Sequence, residues 1–337
     1  MSDAPKVLVT VYHLTAREAP YLRRLEQAGF EVVRNPLGRH YTESELVEAL
    51  PGVFGTLAGG EPYTERVFRA ARDLRIVARF GVGYDMIDVG AATRHGVAIA
   101  MAFGANHEAV ADFTLALMIG LATNLVAHHQ RAKGGGWGCS FHAAFWGTTV
   151  GIVGLGRIGR AVARRCQGFG MRILAHDVQP DAVYARENAI EIVPLDTLLR
   201  DSDFVTLHAP HMQETENLIG RRELALMKPT AYLVNTARGA LVDEEALYEV
   251  LAAGRIAGAG LDVFKREPPT GSPLLTLDNV LLAPHAAGMN VTAEAAMANR
   301  CIDSILALAR GEHPGNAYVL NTAALALRRP DAATPQG

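Results

Sequence analysis

Residues 148–177 read TTVGIVGLGRIGRAVARRCQGFGMRILAHD, and the reading of this stretch decides the fold. An apolar run, TVGIVG, leads into Gly154-Leu155-Gly156-Arg157-Ile158-Gly159, and RIGRAVARRCQGFG continues with helical spacing. Strand, glycine turn and helix in that order make a dinucleotide-binding turn. Gly154 permits the tight turn, Gly156 lets the backbone approach a pyrophosphate, and Gly159 lets the helix pack closely on the strand. The helix N-terminus then faces the anion. About twenty residues on, Asp177 closes RILAHD, where a carboxylate can bind ribose hydroxyls. That carboxylate favours NAD over NADP because it would repel a 2′-phosphate. Arg157 and Arg172 stand close enough in sequence to offset part of that repulsion.

The turn lies near the middle of a chain of 337 residues, a length that suggests two domains of about 150 residues each. Before it, the strand-like runs KVLVTVY, FEVVRN, VFGTLAG, LRIVARFG and GVAIAM alternate with helical stretches. These are EAPYLRRLEQAG, ended by Gly29; TESELVEAL, capped by Thr42 or Ser44; and TERVFRAA. Such alternation indicates a parallel sheet covered on both faces. This half has no glycine-rich phosphate turn. A long helical segment follows, HEAVADFTLALMIGLATNLVAHHQRAK, broken by GGGWG. The second alternation runs through TTVGIVGLG, MRILAHD, DFVTLHA, AYLVNTA, GAGLDV and NVLLAPH, the strand candidates of a doubly wound dinucleotide domain. A last helix, TAEAAMANRCIDSILALARG, returns to pack on the first half. The expected class is α/β: two Rossmann-like or flavodoxin-like doubly wound domains, one inserted into the other.

Composition excludes several functions. The formal net charge is −3 with both signs dispersed, so no basic block tracks a nucleic acid. Cys139, Cys166 and Cys301 form no CxxC pair or zinc spacing and read as reduced thiols. The N-terminus, MSDAPKVLVTVYH, lacks the layout of a signal peptide, and FTLALMIGLA is too short to span a bilayer. The expectation is a soluble cytoplasmic protein without membrane or nucleic-acid partners. No metal is expected: His128 and His129 are adjacent and point to different sides of a helix, and no HExxH, P-loop or GxSxG motif occurs.

Hydride transfer needs an acid/base for the hydroxyl proton, a cation for the carboxylate or carbonyl oxygen, and a group that tunes the acid/base. Arg238 in VNTARGALVDEEAL, Glu267 in GAGLDVFKREP and His285 in LLAPHAAG each follow a strand candidate, at the sheet edge where ligands bind. Taken singly, Arg238 reads as a salt-bridge arginine, Glu267 as a solvated carboxylate and His285 as a structural histidine. Their joint occurrence at successive strand ends behind a nucleotide turn points to catalysis.

With these motifs the chain resembles the D-isomer specific 2-hydroxyacid dehydrogenases. The resemblance covers nearly the whole sequence. It rests on RFGVGYDMID, VGIVGLGRIGRAVARR, VNTARGALVDEEAL, GAGLDVFKREP and LLAPHAAG, in that order. It implies a substrate-binding domain from residues 1–105 plus 291–330, an inserted NAD domain from 106–290 and a flexible tail at 331–337. It implies that His285 is the acid/base, that Glu267 pairs with it and raises its pKa, and that Arg238 binds the substrate carboxylate and carbonyl. The Val82 and Gly83 amides would hold the carboxylate. Arg157 and Ile158 would meet the pyrophosphate, Asp177 the adenosine ribose and Pro210 the adenine end. Thr236, Ala237 and Asp262 would line the nicotinamide end, with His285 to Gly288 closing over it. A homodimer through the helix 107–133 is implied as well.

Substrate identity is less legible. The phosphoglycerate dehydrogenase branch that the motifs resemble commonly carries an arginine after the third strand. Here Ala58, Gly59 and Gly60 stand there. The expected substrate is therefore a small 2-hydroxy or 2-ketoacid such as glyoxylate or hydroxypyruvate, with Arg79 or Arg39 as the residues that could still meet a phosphate. The alternatives are a phosphoglycerate dehydrogenase, a phosphite or formate type of dehydrogenase, and an NAD-sensing co-repressor that binds without turnover. An alanine dehydrogenase would not show the Arg–Glu–His order.

Overall fold

The two alternating stretches each close a parallel sheet. The computed structural model describes residues 4–15, 19–138, 141–315 and 318–327. Cys139 and the expected tail at 331–337 lie outside the described residues. The chain divides into two compact units, one formed by Met1–Asn106 with Asn290–Gly337 and the other by His107–Met289.

The first unit carries β1 (Lys6–Val9), β2 (Glu31–Arg34), β3 (Val53–Ala58), β4 (Ile76–Arg79) and β5 (Ala98–Met101). All pair parallel, in the order β2-β1-β3-β4-β5. Val7, Leu8, Val9, Ile76, Val77 and Ile99 are all buried, as a sheet covered on both faces demands. The returning helix Val291–Ala309 packs on β3, β4 and β5 through Met297, Ile302 and Ile305. The helix Glu43–Ala49 begins at Thr42, not Ser44. The Glu45 amide donates to the Thr42 hydroxyl, and the Thr42 amide donates to the Glu45 carboxylate, a reciprocal cap worth about 1 kcal/mol. The helix expected at EAPYLRRLEQAG is shorter than its periodicity suggests. A 3₁₀ turn at Pro20–Leu22 leads into Arg23–Gln27, with Pro20 at the first position, where no N–H is needed.

The second unit carries β6 (Thr149–Val153), β7 (Arg172–His176), β8 (Ile190–Ile192), β9 (Phe204–Leu207), β10 (Tyr232–Asn235), β11 (Gly258–Leu261) and β12 (Val280–Leu282). Their order is β12-β11-β10-β9-β6-β7-β8, all parallel. The direction of winding reverses between β6 and β9, the point where such sheets bind ligands. β8 escapes the sequence reading: it is a three-residue edge strand with two exposed residues. The long helical segment is also not one helix. His107–Ala122 is buried in the core, Asn124 takes a left-handed φ of 49°, and Leu125–Lys133 departs at 64° with none of its residues buried. Among the described residues, no single helix is long and apolar enough to cross a membrane. None of them forms a group of three His, Cys, Asp or Glu that could hold a metal ion. Cys166 and Cys301 are free and buried, and desolvation pushes both thiols up to about 12.

Candidate active site

The glycine turn follows β6 and has the backbone its spacing predicts. Gly154 takes φ +95°, and a Cβ there would come within 2.8 Å of the Ala209 amide. A Cβ at Gly159 would overlap the Gly154 carbonyl, so the helix Arg157–Gly168 can approach β6 only without one. Gly156, at the N-cap of that helix, has nothing within 4 Å of its Cβ position. Two glycines are therefore sterically required, and the third faces open space at a helix N-terminus, which is the shape a pyrophosphate needs. Arg157 is exposed there, and Ile158 packs on the core beneath.

Asp177 stands immediately after β7. Its carboxylate accepts from the Leu155 amide at 2.7 Å and from the Gln179 amide at 2.9 Å, so it also ties the turn to the next strand. Arg172 is not near it. It begins β7, at the opposite sheet edge, and forks onto Glu191 at 2.8 Å. It offers a 2′-phosphate nothing, which corrects the reading from sequence proximity.

The ends of β10, β11 and β12, neighbours in the sheet, supply the remaining groups. Glu267 Oε2 accepts from His285 Nδ1 at 2.7 Å, and Glu267 Oε1 accepts from the Phe264 amide at 3.1 Å. Burial alone would raise the Glu267 carboxyl. The His285 hydrogen bond and charge, the Phe264 amide and the Arg238 charge outweigh it and hold the carboxyl below its ordinary range. Arg238 follows β10, and one guanidinium nitrogen donates to the Ala237 carbonyl at 2.6 Å. Its loop is set by Asn235, which accepts from the Ala237 amide and donates to the Arg238 carbonyl. A side chain at Gly239 would overlap the Phe264–Lys265 backbone, so this glycine lets the Arg238 loop lie against the Glu267 loop.

Residues 115–287 match the family described as D-isomer specific 2-hydroxyacid dehydrogenase, NAD binding domain. A glyoxylate reductase of Korarchaeum cryptofilum is 47% identical over 263 residues, covering 76% of this chain and 79% of that protein. A D-3-phosphoglycerate dehydrogenase of Methanocaldococcus jannaschii is 38% identical over 295 residues, 86% of this chain but 56% of that longer protein. Among solved structures, a D-lactate dehydrogenase from Aquifex aeolicus complexed with NAD and lactic acid has a TM-score of 0.84 at 25% identity. The match covers 94% of this chain and 99% of that one. The chain belongs to the D-isomer specific 2-hydroxyacid dehydrogenases.

As a member of that family it is an oxidoreductase with a nicotinamide cofactor. Within the candidate site, sequence reasoning missed how His285 is held. His285 takes a left-handed φ of 55°, a strained state for a residue with a side chain. Asp262, 1% exposed, imposes it: its carbonyl accepts from the His285 amide, and its two carboxylate oxygens accept from the Ala286 and Ala287 amides at 2.7 and 2.9 Å. The Asp262 side chain, expected only at the nicotinamide end, is thus engaged in holding the histidine turn. Its position directly after a strand in GLDVF was the available signal. Thr236 likewise has an inward partner, the Thr114 hydroxyl at 2.9 Å. The Pro210 carbonyl accepts from Thr215. A second histidine, His208, also follows a strand, β9. Desolvation pushes its imidazole down to about 3, so it is neutral and cannot serve as the proton donor.

In the first unit, Val82 and Gly83 follow β4 and are partly exposed. Arg79 braces their loop, donating to the Gly83 carbonyl at 3.1 Å and to the Phe80 carbonyl. Arg39 forks onto Glu45 at 2.6 and 2.9 Å. Both cations named as phosphate contacts are thus committed to the protein itself.

Proposed function

We propose that this dehydrogenase is an NAD-dependent reductase of short, non-phosphorylated 2-ketoacids, with His285 as acid/base, Glu267 as its partner and Arg238 as the carboxylate-binding cation. The observation that carries this is the 2.7 Å pairing of His285 Nδ1 with Glu267 beside Arg238, at the ends of adjacent strands. The cofactor, when bound, supplies the hydride that adds to C2 of the ketoacid. His285 Nδ1 is committed to Glu267, so Nε2 faces the reacting oxygen and gives it the proton. Glu267 fixes the ring and balances the imidazolium. Arg238 presents parallel donors to the substrate carboxylate and polarises its carbonyl. The Val82 and Gly83 amides provide further carboxylate donors. The Gly154 to Gly159 turn, Arg157 and Ile158 take the pyrophosphate. Pro210, Thr236, Ala237, Asp262 and Gly288 border the cofactor. Asp177 sets the preference for NAD.

The short substrate is supported by the relatives named glyoxylate reductase and by Ala58-Gly59-Gly60 at the end of β3, a stretch without arginine or lysine. The test is loss of NADH absorbance with glyoxylate, hydroxypyruvate, pyruvate, longer 2-ketoacids and 3-phosphohydroxypyruvate, each repeated with NADPH. One short ketoacid should lead, and NADH should exceed NADPH by about tenfold, the worth of one unfavourable charge contact of roughly 1.4 kcal/mol. If the phosphorylated acid leads, the phosphoglycerate dehydrogenase reading replaces this one. If NADH binds without any turnover, a binding module or a different donor replaces it.

We also propose a homodimer through the segment that begins at His107. Leu125–Lys133 buries none of its residues, and Leu125, Val126, Trp137 and Trp146 are exposed apolar side chains on and after it. Sedimentation velocity at micromolar concentration should give twice the 36.1 kDa chain mass, and a monomer would refute the assembly.

A further inference from the structure

The C-terminal edge of the first unit's sheet holds a second histidine–carboxylate pair. Three adjacent strands contribute to it: Thr10 follows β1, His40 lies in the loop after β2, and Gly59-Gly60-Glu61 follow β3. Glu61 is 1% exposed, and a buried carboxylate persists only where its oxygens are bonded. Oε2 accepts from the Thr10 hydroxyl at 2.9 Å, and Oε1 lies 3.1 Å from His40 Nδ1. The Gly60 amide also reaches Nδ1, at the longer distance of 3.3 Å. As a carboxylate, Glu61 can only accept, so the shorter contact places a hydrogen on Nδ1.

The glycines are built around this pair. A Cβ at Gly59 would come within 2.8 Å of Glu61 Oε1 and 3.2 Å of His40 Cε1, and one at Gly60 within 3.4 Å of His40 Nε2. The imidazole therefore lies on a side-chain-free turn. Asn35 fixes the loop that carries it, donating to the Thr10 and Arg39 carbonyls at 2.8 Å each. The His40 side chain is nevertheless half exposed. A run of ring contacts connects it to the loop at the end of β4: Tyr12 at 5.2 Å from His40, His13 at 5.6 Å from Tyr12, and Phe80 at 5.7 Å from His13. Phe80 directly precedes Gly81, Val82 and Gly83.

We propose that His40, positioned by Glu61, is the specificity residue that reads the C3 substituent of the substrate and selects a 3-hydroxy-2-ketoacid over its 3-deoxy counterpart. This rests on the ketoacid-reductase reading above, with the substrate carboxylate at the Val82 and Gly83 amides. A hydroxyl both donates and accepts, so it satisfies Nε2 in either protonation state of the ring. A methyl group desolvates Nε2 and returns nothing. With the hydrogen on Nδ1, a neutral ring presents an acceptor at Nε2, which a fully ionised phosphate cannot satisfy because it only accepts, so the class is a hydroxyl.

The experiment compares kcat/KM for hydroxypyruvate and pyruvate with NADH. The wild type should favour hydroxypyruvate, and His40→Phe should lower the hydroxypyruvate-to-pyruvate ratio by about tenfold or more, as expected for a lost hydrogen bond. Glu61→Leu should lower the ratio similarly. Glu61→Gln should keep it, because its amide oxygen still accepts from Nδ1 and its NH2 meets the Thr10 hydroxyl. An unchanged ratio in His40→Phe overturns the proposal. So does a wild type that reduces both acids without preferring hydroxypyruvate, or a Glu61→Leu protein that is folded by circular dichroism and keeps the ratio. A wild type that reduces no ketoacid overturns the parent reading and this one with it.

Discussion

Replacing His285 by alanine is expected to lower kcat for ketoacid reduction by about 10²- to 10⁴-fold, the usual contribution of a positioned acid/base. NADH should still bind, because the glycine turn and Asp177 lie at the ends of other strands. The expectation falls on His285 rather than His208 for an electrostatic reason. His208 is neutral from desolvation alone, whereas His285 is half exposed and bonded to a carboxylate. The Glu267 carboxyl stays ionised below its ordinary range. The sign follows: a lowered carboxyl stabilises the pair above its unfolded pKa, and the pair is lost only as pH falls through the lower, folded value. The measurement is kcat of His285→Ala on the best ketoacid at neutral pH, beside NADH binding by fluorescence. Turnover within a few-fold of wild type would remove His285 from the chemistry.

Replacing Arg238 by glutamine is expected to lower kcat/KM by about 10²- to 10³-fold, within the 2–5 kcal/mol that follows truncation of one partner of a close charge pair. Lysine should recover little, because an ammonium cannot present two parallel donors to a carboxylate. Both KM and kcat should suffer, since in the proposed role the same fork serves both the carboxylate and the carbonyl. The Arg238 charge also helps hold Glu267 ionised, so its loss weakens the His285 pair indirectly. Steady-state kinetics of both variants on one ketoacid decide the matter. An Arg238→Lys enzyme near wild-type kcat/KM would show that the fork is not what binds the substrate.

Several features were legible because they are local. The strand alternation repeats at each element, so all of the first sheet's five strands and six of the second sheet's seven could be read directly. β8 could not, because three residues at an edge carry too little periodicity. The bend at Asn124 was hidden inside a continuous helical pattern, since one left-handed residue breaks a helix without breaking its composition. Arg172 was misplaced because closeness along a strand says nothing about which sheet edge a side chain occupies. Arg79 and Arg39 were offered as phosphate contacts because a sequence shows a cation but not its partner.

The sequence by itself determined the α/β class, the insertion of one alternating stretch into another and the glycine turn, and it offered Arg238, Glu267 and His285 as candidates. These follow from spacing and residue type, which the chain carries locally. Only the tertiary structure decided which of these groups meet and what holds them. The order β12-β11-β10 places three strand ends side by side, so residues far apart in sequence come within hydrogen-bond reach. Asp262 was legible as a carboxylate after a strand, but its hold on the Ala286 and Ala287 amides exists only in the folded turn. The same holds for Glu61 and His40, whose pairing joins the ends of two strands that are not sheet neighbours, with Thr10 at the end of the strand between them. A hydrogen bond depends on distances of about 3 Å between atoms, and only the packing of the sheet sets those distances.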